Sequence, residues 1–303
     1  MTAFRFLFFC SLLVFSSVSN ALHVYIAMEE SSEPRQLALL NRVEEYVKNN
    51  IPQATVSLIS SPLFAKSNDK ERIIVSLGKE SLRFLVNVDE SIPIISIFVS
   101  RASFEENSKL HSSERRITSI YSDPSIRRQL SLIRILYGKQ TKVGLLTENN
   151  YPIIKKIKNS STEIGLSISE LNFTKEKINN SFFREIDVLL LQNNRKLFDL
   201  IPLDDLIYLS YDLNNTGIIG YSSGMVKSGS IATTYHSLED ILNSLKKHLL
   251  QFSEKRTLPE PSYPETYQLI FNEYVMRSLD INKPENEEIF DYINLNYSKG
   301  DGQ

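Results

Sequence analysis

Gly220-Tyr221-Ser222-Ser223-Gly224 has the G-x-S-x-G spacing that sets a nucleophilic serine on a sharp strand-to-helix turn. A strand-like run, Gly217 to Gly220, precedes it. Met225 to Thr234, however, carries Gly229 and β-branched residues rather than a helical pattern. Asp240 and His248 fall on one predicted helix, too far apart along it to pair. His236 precedes Asp240, which reverses the usual order of triad partners. A polar strand-end loop that meets a ligand through its hydroxyls accounts for the segment better, with a hydrolase using Ser222 as the rival. The four histidines, His23, His111, His236 and His248, include no i, i+4 pair and no H-E-x-x-H pattern, so no metal centre is expected. No P-loop occurs, and Met28-Glu29-Glu30 stands where a dinucleotide fingerprint would follow the first strand, so no cofactor is expected. Glu29-Glu30 could hold a cation, though a solvated loop is the plainer reading. Arg101 could hold an anion through its planar fork, or stand as a solvated surface arginine.

The rest of the composition narrows the class. The 303 residues balance 34 Lys+Arg against 36 Asp+Glu, a net charge of −2 without long like-charge runs. That argues against nucleic acid and against an anionic membrane surface as partners. Tryptophan is absent, so 14 Tyr and 16 Phe must supply any stacking surface. Arg5, an apolar run from Phe6 to Val18, and Ser19-Asn20-Ala21 read as a secretory signal cleaved after Ala21. A buried N-terminal helix is the alternative. The expectation is a periplasmic protein starting at Leu22. The one cysteine, Cys10, lies inside that segment behind Phe8-Phe9, so neither a lipid anchor nor a disulfide is expected. A cysteine-free chain of this length must rest on ordinary cores, and it is long enough for two lobes.

Downstream, short β-branched runs alternate with amphipathic stretches, the pattern of a parallel sheet wrapped by helices. Strands are predicted at His23 to Ala27, Ala54 to Ile59, Arg72 to Leu77 and Ile92 to Val99, with helices at Pro34 to Val47 and Glu80 to Val86. A second series follows Pro124: helices at Ser125 to Leu136, Pro152 to Lys158 and from Arg195 to about Ile201, with strands at Val143 to Leu146, Leu166 to Leu171, Asp187 to Leu191 and Gly217 to Gly220. Ser230 to Thr234 is extended, and Leu238 to Phe252 is a clear amphipathic helix. Pro259, Pro261 and Pro264 stiffen a connector to a last strand at Tyr267 to Phe271 and a helix at Glu273 to Leu279. The tail from Tyr297 is polar. Ligands of open α/β sheets bind outside the carboxyl ends of the strands.

Three segments carry a family resemblance. Ile117 to Asn149 pairs a short strand and a helix containing Gln-Leu with a Lys-Val-Gly-Leu-Leu strand. Gly220 to Tyr235 holds Val-Lys-Ser-Gly-Ser and an extended run, and Leu258 to Ile281 holds a proline-rich return, a strand ending in Asn and a helix. Their order and spacing resemble ABC-transporter substrate-binding proteins of the poorly characterised class that includes tryptophan- and tyrosine-binding members. The resemblance implies the periplasmic-binding type 1 fold, two Rossmann-like lobes that close on a small ligand about a multi-crossing hinge. This chain departs from the family at two places. Ser100-Arg101-Ala102-Ser103 stands where members show Ser-Asp-Pro, and Gln192-Asn193-Asn194 replaces an Asp-Asn pair. The second change removes a carboxylate that could hold a ligand ammonium.

The expected division is 22–121 with about 230–256 as the N-terminal lobe, and 122–229 with about 257–296 as the C-terminal lobe, followed by the tail 297–303. Hinges are expected near Tyr121 to Pro124, Gly229 to Tyr235 and Glu254 to Pro264. The ligand-contacting residues implied are Met28, Glu29, Gly78, Ser81, Ser100, Arg101, Ser103, Tyr121, Asp123, Thr147, Asn149, Asn193, Asn194, Tyr221 and Ser222. The expected protein is a monomer and not an enzyme. It captures a small molecule for an ABC permease, or reports it to a membrane sensor protein.

Overall fold

The computed structural model describes residues 22–29, 33–59, 71–87, 92–108, 116–149 and 154–298. The expected signal segment with Cys10, together with Glu30 and His111, lies outside the described residues.

The first lobe contains β1 (His23–Met28), α1 (Pro34–Asn50), β2 (Thr55–Ile59), β3 (Arg72–Leu77), α2 (Lys79–Leu85), β4 (Ile94–Val99), α3 (Arg101–Ser108) and β5 (Ile117–Tyr121). Its strands form a wholly parallel sheet in the order β2-β1-β3-β4-β5. β3 and β4 are apolar runs because both of their faces are covered. On one face Ile73, Val75, Ile95 and Ile97 pack with α1, and on the other Ile74 and Ile94 pack with Leu82 and Leu85 of α2.

The second lobe follows with α4 (Ile126–Tyr137), β6 (Lys142–Thr147), α5 (Ile154–Ile164), β7 (Ser167–Asn172), α6 (Asn180–Arg184), β8 (Val188–Leu190), α7 (Arg195–Leu200), α8 (Leu203–Ile207), a π-helical turn (Tyr208–Asp212), β9 (Gly217–Ile219), α9 (Ser223–Lys227) and β10 (Ala232–Tyr235). The chain then returns to the first lobe as α10 (Leu238–Lys255) and comes back as β11 (Gln268–Phe271), α11 (Glu273–Ser278) and α12 (Asn286–Tyr297). The second sheet runs β11-β10-β9-β8-β6-β7, with β11 antiparallel at its edge. The architecture is thus two α/β sheets, each wrapped by helices, as the alternating pattern implied.

α10 belongs to the first lobe for a physical reason. Ile241, Leu242, Leu245, Leu249 and Phe252 form one buried stripe against Val24, Ile26 and Val75. Burial of side chains this size contributes roughly 1.5–3 kcal/mol each. Ser237 caps its first turn, and Asp240 reaches back to the Ser237 amide to complete a capping box. The return crossing is therefore at 236–237. This corrects the expected boundary near 230 and the hinge at Gly229 to Tyr235, because Ala232–Tyr235 pairs with β9 and β11 inside the second sheet.

Three chain segments, 122–125, 236–237 and 256–267, cross between the lobes. The start of α4 ties them together. Gln129, 1 % exposed, donates to the Gly220 carbonyl at 2.6 Å and to Thr233 Oγ1 at 3.0 Å. Its Oε1 accepts from the Thr234 amide at 3.0 Å and the Thr234 hydroxyl at 3.1 Å. Arg128 lies between the rings of Tyr267 and Tyr297 and donates to the carbonyls of Pro264 and Glu265. Asp240 accepts from Thr266 and Gln268, which joins the second crossing to the third.

Two outcomes follow from this packing. Gln129→Leu strands buried partners in two segments, at Gly220 and at Thr233-Thr234, and is expected to lower unfolding free energy by about 2–4 kcal/mol, read as a lower urea midpoint. His248 is buried on α10, and burial pulls its pKa down to about 4. The folded-state value lies below that of a free ring, so this stabilisation is complete above pH 6.5 and is lost as pH falls toward 4. His248→Leu should shrink the drop in melting temperature across that window.

Candidate functional site

The carboxyl ends of the two parallel sheets are where the crossings leave, and the polar residues of interest gather there. β4 ends in a bulge. The β4–β5 register shifts between Ile97 and Val99, and Phe98 takes a φ of 60°, a conformation unusual for a bulky side chain. The bulge delivers the chain directly into α3, whose first residues are Arg101, Ala102 and Ser103. Ser100 and Ser103 bond to each other across this turn, Oγ to Oγ at 3.0 Å.

Arg101 is the centre of the arrangement. Its backbone amide donates to Asp123 Oδ1 at 2.9 Å. Its Nε donates to Glu105 Oε1 at 3.0 Å, and its guanidinium lies 5.9 Å from the centre of the Tyr121 ring. The same Glu105 oxygen accepts from Lys156 Nζ at 2.8 Å, although Lys156 sits on α5 in the second lobe. Burial alone would raise the Glu105 pKa, but the bonds from Lys156 and Arg101 hold it below the usual carboxylate range. Burial likewise works against the Arg101 cation, and Glu105 more than offsets it. Behind this pair lies an aromatic stack. Phe104 and Tyr121 are 5.9 Å apart, Tyr121 and Tyr263 5.0 Å, and His236 stacks on Tyr263 at 6.0 Å. Burial pushes the Tyr121 hydroxyl up to about 12 and pulls the His236 ring down to about 4. Both side chains are therefore neutral near pH 7.

The other strand ends divide by role. Ser81 is buried, donates to the Ala27 carbonyl and accepts from Ser76, and Thr147 is buried and donates to Glu170. These two residues fix neighbouring elements. Gly78 precedes α2 with a φ of 86°, which a residue with a Cβ rarely adopts. Met28 packs at the edge of the first core. Asn194 caps α7 and donates to Glu148, which also accepts from Lys196 at 2.5 Å. Tyr221 lies against Phe198. Glu29, Asn149 and Asn193 are exposed, with Asn149 accepting from Asn172.

A helix does follow the G-x-S-x-G segment, contrary to the sequence expectation: α9 is short, and Ser222 caps it by accepting from the Met225 amide. Gly220 is a glycine because a Cβ there would lie 2.7 Å from Met225 Cβ. The motif is thus accounted for by local folding. Asp240 is held by Ser237, Thr266 and Gln268, and the Nδ1 of His236 lies 3.1 Å from the Thr266 carbonyl. Among the described residues no cluster of His, Cys, Asp and Glu has metal-holding geometry.

Glu105, Lys156 and Tyr263 are not among the expected ligand contacts, and His236 entered only as a triad partner. Glu105 at i+4 from Arg101 was a readable helix pair. The others meet through the crossings, and no local spacing announces them.

Asp123 gives this site a testable pH response. Although the residue keeps some exposed surface, burial of its carboxyl raises the pKa to about 6, against the bonds it accepts from the amides of Arg101 and Asp123 itself. A raised carboxylate favours the protonated folded state. Its stabilising effect is present below the unfolded value of 3.8 and is lost as pH rises through about 6. Asp123→Asn should therefore remove this loss and, at pH 7, be neutral or stabilising by about 1–3 kcal/mol in urea unfolding.

No family model and no curated protein matches the sequence. Solved structures do. A ligand-free, open substrate-binding protein with adhesive properties from Clostridium difficile aligns at a TM-score of 0.64 and 17 % identity, over 88 % of this chain and 97 % of that one. An ABC domain in complex with L-Trp from Streptococcus pneumonia aligns at 0.58 and 14 % identity, over 90 % and 98 %. A complex of XylFII with LytSN aligns at 0.53 and 14 % identity, over 84 % and 99 %. With its two helix-wrapped sheets, one wholly parallel and one with an antiparallel edge strand, and three crossings, the chain has the periplasmic-binding type 1 fold.

Proposed function

We propose that this is an exported, monomeric solute-binding protein that captures a small molecule between its lobes and delivers it to an ABC-type importer. The observation that carries the reading is the convergence of both sheets' carboxyl ends on three crossings, with Arg101, Asp123 and Tyr121 at the first. A fold of this kind couples ligand to lobe closure by binding the closed state more tightly. Arg101 is the residue best suited to fix ligand polarity, since Glu105 takes its Nε edge and the two Nη nitrogens form a planar pair of donors. Asn193, Tyr221 and Ser222 offer amide and hydroxyl groups from the second lobe. Glu148 is held by Lys196 and Asn194, which agrees with a ligand that needs no carboxylate for an ammonium group.

A second reading replaces the importer with a membrane sensor protein, and the XylFII–LytSN complex among the structural neighbours favours keeping it. The division of lobes proposed is 22–121 with 238–255, and 126–235 with 268–297. The signal segment and the periplasmic site of action belong to the same proposal.

A thermal-shift screen of the chain from Leu22 onward, against amino acids, nucleosides, sugars and small organic anions, tests this reading. A ligand well above its dissociation constant is expected to stabilise the protein by about 3 kcal/mol or more. Arg101→Ala and Asn193→Ala should each weaken that ligand about tenfold or more and leave the free protein's melting temperature nearly unchanged. Unaltered affinity in both variants would remove these residues from the site.

A further inference from the structure

Among the described residues of the site, Glu105 is the carboxylate that takes cations from both lobes. Arg101 Nε reaches it from the same helix at 3.0 Å, and Lys156 Nζ reaches it from α5 at 2.8 Å. The carboxylate is partly withdrawn from water, its side chain 28 % exposed, and Arg101 is similar at 25 %. Two cations thus share one half-buried anion, and the shared anion is already oriented by its own helix before the lysine arrives. Ordering costs less for the second bond than for an isolated surface pair, which normally contributes little. The neighbouring contacts have the same sense. Ala102, in the first turn of α3, packs against the second lobe's core, and Glu106 adds its charge to that of Glu148 in favouring the Lys196 cation on α7. α3 therefore presents acid to a basic face of the opposite lobe.

We infer that Glu105 is an inter-lobe latch: with Lys156 it holds the two lobes together across the cleft in the ligand-free protein, and so sets how much of the population is ready to bind. This rests on the reading of the lobes as jaws around a solute. The apparent affinity of such a protein scales with the fraction in the competent conformation. The latch consequently acts on affinity without touching the ligand. Salt weakens it, because half of the pair, Lys156, is 54 % exposed.

The test needs no ligand. Spin labels at Asn49→Cys on α1 and Glu176→Cys beyond β7, in the cysteine-free chain from Leu22 onward, report the inter-lobe distance by pulsed electron resonance. At low salt the parent protein should give a narrow distribution. Glu105→Gln and Lys156→Met should each broaden it and move it to a new mean, and the double variant should match either single one. Molar sodium chloride should shift the parent toward the variants and leave Glu105→Gln unchanged. Distributions that superimpose for parent and both variants would overturn the latch. So would a shift in Glu105→Gln that Lys156→Met fails to reproduce, since Glu105 would then act through Arg101 alone. A protein that behaves as expected here but binds no solute would retain the latch and lose the transport reading.

Discussion

One buried amide ties the first crossing to the second sheet. Gln129 sits at the start of the first helix after the first crossing, and the four hydrogen bonds of its side chain go to Gly220, at the end of β9, and to Thr233 and Thr234 of β10. A buried polar group is costly unless it is satisfied, and once satisfied it admits few alternative arrangements. Gln129 thereby fixes where β9 and β10 end relative to α4. Arg128, one residue earlier, does the same for the third crossing through the carbonyls of Pro264 and Glu265 and two tyrosine rings.

The electrostatics of the cleft follow from that rigidity. The carboxylates of Glu105, Glu148, Glu170 and Asp123 all accept hydrogen bonds from protein partners. The buried groups of the aromatic stack, Tyr121 and His236, are neutral for want of solvation. Asp123, which accepts from the Arg101 amide, is able to change protonation near pH 6.

Much of the fold was legible because hydrophobic period reports burial directly. β3 and β4 are rich in Ile and Val, and α10 repeats leucine on one face, so the strands were placed within two residues and the helix within three. Elements without such a signal were not found. α3 reads Arg-Ala-Ser-Phe-Glu-Glu-Asn-Ser, with little apolar face to announce a helix. α9 is short and bracketed by glycines, though Ser222 in the capping position was a usable sign. The turn of α8 and the π-helix after it, and α12, were also passed over; Asp204-Asp205 and Glu287-Glu288 in their first turns were the clues. The site was legible as a set of strand ends. Which of those residues would be buried, as Ser81 and Thr147 are, depends on partners distant in sequence.

Neither lobe is a continuous piece of chain. The first sheet waits for α10 to cover Val24, Ile26 and Val75, and the second waits for β11 at its edge and α12 against Leu130 and Ile133. Contacts so remote in sequence are slow to form. During synthesis the first half of this protein emerges with an uncovered apolar sheet face, and no lobe can close until the last quarter has been made. A chain that reaches the ribosome's end incompletely folded is open to chaperones and to threading through a narrow channel, so the same interlacing that makes a stiff junction also delays the native state.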